Sequence, residues 1–133
     1  MLNIIEFLQE GEHYNFFLKA IFETNFQNIL IGKGPFTLLV PGDKAFQLLA
    51  DNDRRDLFGD SERLKRLVGE HVVIGSLYFE DLRQSDEIVN MNNHSLAVER
   101  HGEGLIVGGA KIVMADRQCK NGIVHEIDIV LLS

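Results

Sequence analysis

NGIVHEIDIVLLS, Asn121 to Ser133, sorts into two alternating rows: Ile123, His125, Ile127, Ile129 and Leu131 against Val124, Glu126, Asp128, Val130 and Leu132. Period two is the mark of a β-strand, whose successive side chains point to opposite faces. The stretch therefore predicts a strand over 123–132. Glu126 and Asp128 fall together on the row expected to meet water, and His125 falls among branched apolar residues on the other. A histidine there is either a ligand or catalyst, or a polar pin inside the core. A strand that stays apolar beyond it would shut a catalyst away from substrate, so the pin is the expectation. A pin must bond its ring nitrogens, since a buried unpaired polar group costs about 1–3 kcal/mol. Thr37 and Asp43 are the candidate partners.

Working outward, the segments before this strand share its rhythm. Glu87–Met91, Ser95–Arg100, Leu105–Val107 and Ala110–Ala115 read as strands, separated by turn signals at Asn92-Asn93, Gly102-Glu103-Gly104 and Gly108-Gly109. Asn121-Gly122 reads as a turn with a positive φ. The first half is helical instead. Asn3 can cap a short helix carrying Ile4, Ile5 and Leu8, and Tyr14, Phe17, Leu18, Ile21 and Phe22 recur at helical spacing. Phe36–Val40 is a continuously apolar run of the kind buried on both faces. Asp43 is placed to cap the helix that follows it. Leu64, Leu67, Val68 and His71 share one face of a later helix, which turns His71 toward the core. Helices first and strands afterwards define an α+β domain, single over 1–133.

The totals narrow the function. With 13 basic and 20 acidic residues the formal charge is −7, the wrong sign for a nucleic-acid footprint. Arg54-Arg55 and Arg63, Lys65, Arg66 are interleaved with acids and read as a mixed solvated face. The lone cysteine, Cys119, has no intramolecular partner and no charged nest beside it. No run is long and apolar enough to insert in a membrane, and Met1–Leu8 lacks the basic start of a signal peptide, so the residues leave a cytoplasmic location open beside an exported one. His13, His71, His94, His101 and His125 show no metal-ligand spacing, so no metal and no cofactor are expected. His94 and His101 are expected at loop ends in water. Gly75-Ser76-Leu77 lacks the second glycine of a nucleophile elbow, Gly32-Lys33-Gly34 is no phosphate loop, and Gly102 to Gly109 lie between strands. No catalytic residue is assigned. Asn93-His94-Ser95 matches the glycosylation triplet, which matters only in a chain secreted by a eukaryote.

Three stretches together resemble the fasciclin (FAS1) family. GPFTLLVPGDKAFQLL, Gly34 to Leu49, is similar to its first signature; LKRLVGEHVVIG, Leu64 to Gly75, to its central "LLKYHVVPG" segment; and KNGIVHEIDIVLL, Lys120 to Leu132, to its second signature. They stand in family order across nearly the whole chain. The resemblance implies a wedge of two mainly antiparallel β-sheets with the helices of the N-terminal half along one side. It also implies a non-enzymatic adhesion or protein-interaction module, secreted or at the cell surface, whose partner is a protein or a matrix or surface component. Thr37, Asp43, Asn121, Gly122 and His125 are its structural signature residues here. Two departures bear on the partner. Integrin-engaging animal members carry Tyr-His where this chain has Glu70-His71, and of their Glu-Pro-Asp-Ile-Met motif only Asp116 remains in Met114–Gln118. Integrin binding is therefore not carried over.

Candidate partner-binding residues are His71 and Asp116, from the resemblance, and the aromatic pair Tyr78-Phe79, because aromatics dominate interface hot spots. The loops expected to present them are Ser76–Arg83, Asn92–His94, Gly102–Gly104 and Asp116–Lys120. The competing reading is a small-ligand binder or unrecognised enzyme using a pocket between the helices and the sheet.

Overall fold

The computed structural model describes residues 1–132. The helices come mainly first: α1 (Ile4–Glu10), α2 (Asn15–Glu23), α3 (Gln27–Leu30), then strand β1 (Phe36–Pro41), α4 (Asp43–Gln47), α5 (Asp51–Phe58) and α6 (Ser61–Glu70). The second half holds β2 (Val72–Ile74), α7 (Phe79–Arg83), β3 (Glu87–Val89), β4 (Ser95–His101), β5 (Gly104–Val107), β6 (Ala110–Cys119) and β7 (Gly122–Ile127). The seven strands form one hydrogen-bonded series, β2-β1-β7-β6-β5-β4-β3. Neighbours run antiparallel except β1 and β7, which pair in parallel from Phe36↔Gly122 to Pro41↔Ile127. The ends of the series approach each other: Met91, just past β3, donates its N–H to the carbonyl of Val72 in β2 at 2.7 Å. The strands thus form one mixed series curled almost into a barrel, within the expected α+β architecture.

That curl makes two cores. Ile4, Leu8, Phe17, Ile21, Phe46, Leu64 and Val68 from the helices pack with Phe36, Leu38, Val40 and Val124 on the outer face of β1 and β7. Leu39, Val73, Leu82, Val98, Leu105, Val107, Ile112 and Ile127 fill the inside of the curl. β1 and β7 are therefore covered on both faces, and every residue of β1 is buried, as its unbroken apolar run requires.

The ends of these strands differ from the sequence reading. β7 stops at Ile127, where its partner β1 runs into Pro41-Gly42 and ladder donors give out. Beyond it Val130 enters the helix-side core and Leu131 the inner one. Glu126 faces the helices, not open water, and accepts a 2.7 Å bond from the Tyr14 hydroxyl, whose pKa burial and this carboxylate push up. Neither Asn121 nor Gly122 has a positive φ. Asn121 is instead a buried clamp: it accepts from the Ile4 N–H at 3.0 Å and donates to the carbonyls of Leu30 at 2.6 Å and Gly32 at 2.9 Å. Gly122 is required by close approach, because a Cβ there would run into the Phe36 carbonyl.

Asp43 also acts elsewhere than expected. Gly42 is the N-cap of α4, and the Asp43 carboxylate reaches across to accept from the Phe16 N–H and the Asn15 side chain, each at 2.9 Å. It thus satisfies an orphan donor in the first turn of α2 and sits near that helix's positive end.

Candidate functional site

Gly75 to Phe79 forms a strap across the inner side of β1 and β7, and signature residues pin it. The Thr37 hydroxyl donates to the Gly75 carbonyl at 2.7 Å and accepts from the Leu77 N–H at 2.8 Å. Asp116 donates its backbone N–H to His125 Nδ1 at 3.2 Å, so that nitrogen is the acceptor and Nε2–H donates to the Leu77 carbonyl at 2.7 Å. The Asp116 carboxylate accepts the Phe79 N–H at 2.7 Å. His125 is 0% exposed, as a pin should be, but its partners are a strap carbonyl and a bulge N–H, not Asp43 or Thr37. Burial lowers its pKa, against smaller opposing effects of the Leu77 carbonyl and the Asp116 charge. The ring stays neutral with both nitrogens spent, which leaves it no proton to exchange with a substrate.

Asp116 can meet the strap because β6 is irregular. Its register with β7 shifts between Met114 and Arg117, and Asp116 takes a left-handed backbone with φ 61. Such a bulge re-aims a side chain out of the ladder, and Asp tolerates that conformation better than bulky residues do. The carboxylate stays 44% exposed. On the strap, Tyr78 is 40% exposed while Phe79 packs against the inner core. The segment expected as a loop over Ser76–Arg83 is in part helical, α7, whose start is tied by Asp81 accepting the Tyr78 N–H at 2.9 Å.

Tyr78, Phe79 and Asp116 are thus brought together, and His71 is not. It is 0% exposed, between α6 and the C-terminal tail, and gives a partner no surface. Its Nε2 accepts the Leu131 N–H at 2.9 Å, so Nδ1–H donates to the Leu67 carbonyl at 2.7 Å. Burial drives its pKa down to about 4. Phe17 packs edge-on against the ring.

Sequence reasoning missed a second polar joint. Glu70 is buried, and its carboxylate accepts from the Asn92 side chain at 2.7 Å and lies 2.8 Å from His94 Nδ1. His94 sits at a loop end with its side chain 57% exposed, as expected, and is anchored at one edge by this carboxylate. Only the tertiary contact brings positions 70, 92 and 94 together, so no local motif could have shown it. Asn93 is exposed in the same turn. Cys119 is buried, and desolvation raises its thiol pKa to about 11, which makes it a poor nucleophile. Among the described residues, no three His, Cys, Asp or Glu side chains converge as metal ligands would, and no helix is long and apolar enough to cross a membrane.

A sheet curled on a strap, with helices on its outer face, is an α+β scaffold. The fasciclin domain family matches residues 12–133, and the chain belongs to it. It is 30% identical over 132 residues to the uncharacterized protein sll1735 of Synechocystis, covering 99% of this chain and 98% of that one. It is 24% identical to pig transforming growth factor-beta-induced protein ig-h3, covering 98% of this chain but 19% of that protein. A Plasmodium falciparum protein named heme ligase is 28% identical over 116 residues, covering 71% of this chain and 57% of that protein. Among solved structures, a FAS1 domain pair from the insect cell adhesion molecule fasciclin I superposes with a TM-score of 0.86 at 22% identity, over 99% of this chain and 51% of that one.

Proposed function

We propose that this chain is a non-enzymatic adhesion module, secreted or at the cell surface, that grips a protein or matrix component through the rim formed by Tyr78 and Asp116. The observation that carries the reading is the pinned strap: Thr37, His125 and Asp116 hold Gly75–Phe79 by four backbone-directed bonds, so Tyr78 is presented on a preorganised support. A half-exposed tyrosine is a favoured interface anchor, and a preorganised support lowers the entropy lost on binding. The insect adhesion molecule with the same fold supports the class of function. Phe79 contributes by packing beneath the strap, and His71 lies outside this rim.

The relative named heme ligase favours the second reading, a small-ligand binder or enzyme with a pocket between helices and sheet. Against it, that interface is filled by Ile4, Leu8, Phe17, Leu38, Val40 and Val124, all 0% exposed.

The test is attachment of purified protein to surfaces coated with cell-envelope or matrix material. Tyr78→Ala and Asp116→Asn are compared with the parent chain, the second keeping the acceptor for Phe79. Attachment by the parent, reduced about ten-fold in each variant at unchanged melting temperature, supports the reading. Undiminished attachment in both variants moves the site elsewhere, and no attachment by the parent ends the adhesion role.

A further inference from the structure

The cavity between α2 and α5 has a chemistry that the adhesion rim does not use. Asp51, Arg54, Arg55 and Phe58 stand at i, i+3, i+4 and i+7, one face of α5. That face looks across a cavity of about 420 Å³ at Phe16 and Lys19 of α2. An amphipathic helix ordinarily buries an apolar stripe, yet α5 buries only Leu57 and turns two arginines toward this cavity.

The walls are aromatic and fixed. Phe16 stacks on Phe46 with centroids 5.5 Å apart, and Phe58 lies 6.2 Å from Phe16 and 6.1 Å from Phe46. Cations stand over these rings, Lys19 Nζ 5.3 Å from the Phe58 centroid and the Arg54 guanidinium 5.3 Å from that of Phe16. Arg54 is the preorganised one. Its side chain is only 23% exposed, and it donates Nη1 to the carbonyls of Phe46 at 3.3 Å and Leu49 at 3.5 Å and Nη2 to Asp51 at 3.0 Å. These bonds take three of its five N–H groups and leave Nε–H and one Nη2–H among the described residues. Among the described residues Arg55 is tied only to Asn52, at 2.9 Å, and Lys19 is 60% exposed with a loose 3.9 Å pair to Glu23. Three cations and one carboxylate line the cavity, in a chain whose net charge is −7.

We propose that this cavity binds a small aromatic carboxylate, the ring against the edges of Phe16 and Phe58 and the carboxylate on the free N–H groups of Arg54, with Arg55 and Lys19 neutralising it. A carboxylate matches the planar guanidinium fork, and an aromatic body matches the apolar walls. A bare anion would use only half of the lining.

The experiment is an amide-resolved NMR titration of the whole chain with 2-naphthoate, its neutral isostere 2-naphthylmethanol, and inorganic phosphate. Saturable shifts at Phe16, Lys19, Arg54, Arg55 and Phe58 are expected with naphthoate, with affinity at least about ten-fold above either control. Because Arg54 is bonded into the fold, the charge test uses the exposed pair Lys19→Gln with Arg55→Gln, expected to weaken naphthoate about ten-fold while amides elsewhere stay in place. Equal binding of the neutral isostere, equal binding of phosphate, or shifts centred instead on the separate groove of Phe26, Ile29 and Met91 would overturn the proposal. So would the lack of saturation by about 10 mM naphthoate.

Discussion

His71 and His125 are both fully buried and neutral, and they solve the same problem with opposite tautomers. Each accepts one backbone N–H and donates to one carbonyl, so each staples two segments distant in sequence. Both have folded pKa values below the ordinary 6.5, His71 at about 4. The unfolded chain therefore binds protons first as pH falls. Their contribution is complete above about pH 6.5 and is lost on acidification toward the folded pKa, with about 2 kcal/mol gone by pH 5 from His71 alone. Denaturant midpoints at pH 7.5, 6.5, 5.5 and 5.0 should fall steadily below 6.5; a flat profile would show that these rings are not buried neutral. His125→Leu keeps the volume but orphans the Leu77 carbonyl and the Asp116 N–H, at about 2–4 kcal/mol. Amide shifts should spread to Leu77–Phe79 and Asp116, and a variant as stable as the parent would refute the pin. That His125 is a pin was legible from four apolar neighbours in its row. Its partners were not, because they come from a strap 48 residues earlier and from a bulge.

At the scale of elements, local signals placed β1, α6 and β4 closely, because apolar runs and helical spacing act within a few residues. The short β2 escaped, since three residues carry no readable period and Val72–Ile74 is a strand only by pairing with Phe36–Leu38. Strand β6 runs four residues past the expected Ala115, through a bulge that breaks alternation at Ala115 and Asp116. Asp43 shows the same limit for a cap. Its type and position signal a helix start, but its oxygens serve α2 across the fold. Asp43→Ala should cost about 1 kcal/mol. Hydrogen exchange should quicken at the Phe16 amide and the first turn of α2 while α4 stays protected. Loss confined to α4 would return Asp43 to its own helix.

For the molecule as a whole, the C-terminal tail ties the two cores together. Val130 packs in the helix-side core, Leu131 in the inner one, and the Leu131 N–H ends on His71 Nε2. Deleting residues 129–133 should cost more than about 3 kcal/mol, two buried aliphatic side chains' worth, and lower the melting temperature accordingly. A loss under about 1 kcal/mol would mean that the tail merely lies on the surface. By itself the sequence determined the α+β class, the doubly buried first strand, the inward histidines and, by resemblance, the family, because each rests on short-range periodicity or a contiguous motif. Only the tertiary structure decided that the sheet curls into one series and that Tyr78 and Asp116 share a rim. It alone placed His71 away from that rim, and laid the half-buried Arg54 over the Phe16 ring. Those outcomes depend on contacts between residues tens of positions apart, and on a bulge and strand ends set by what each strand pairs with, which no local pattern encodes.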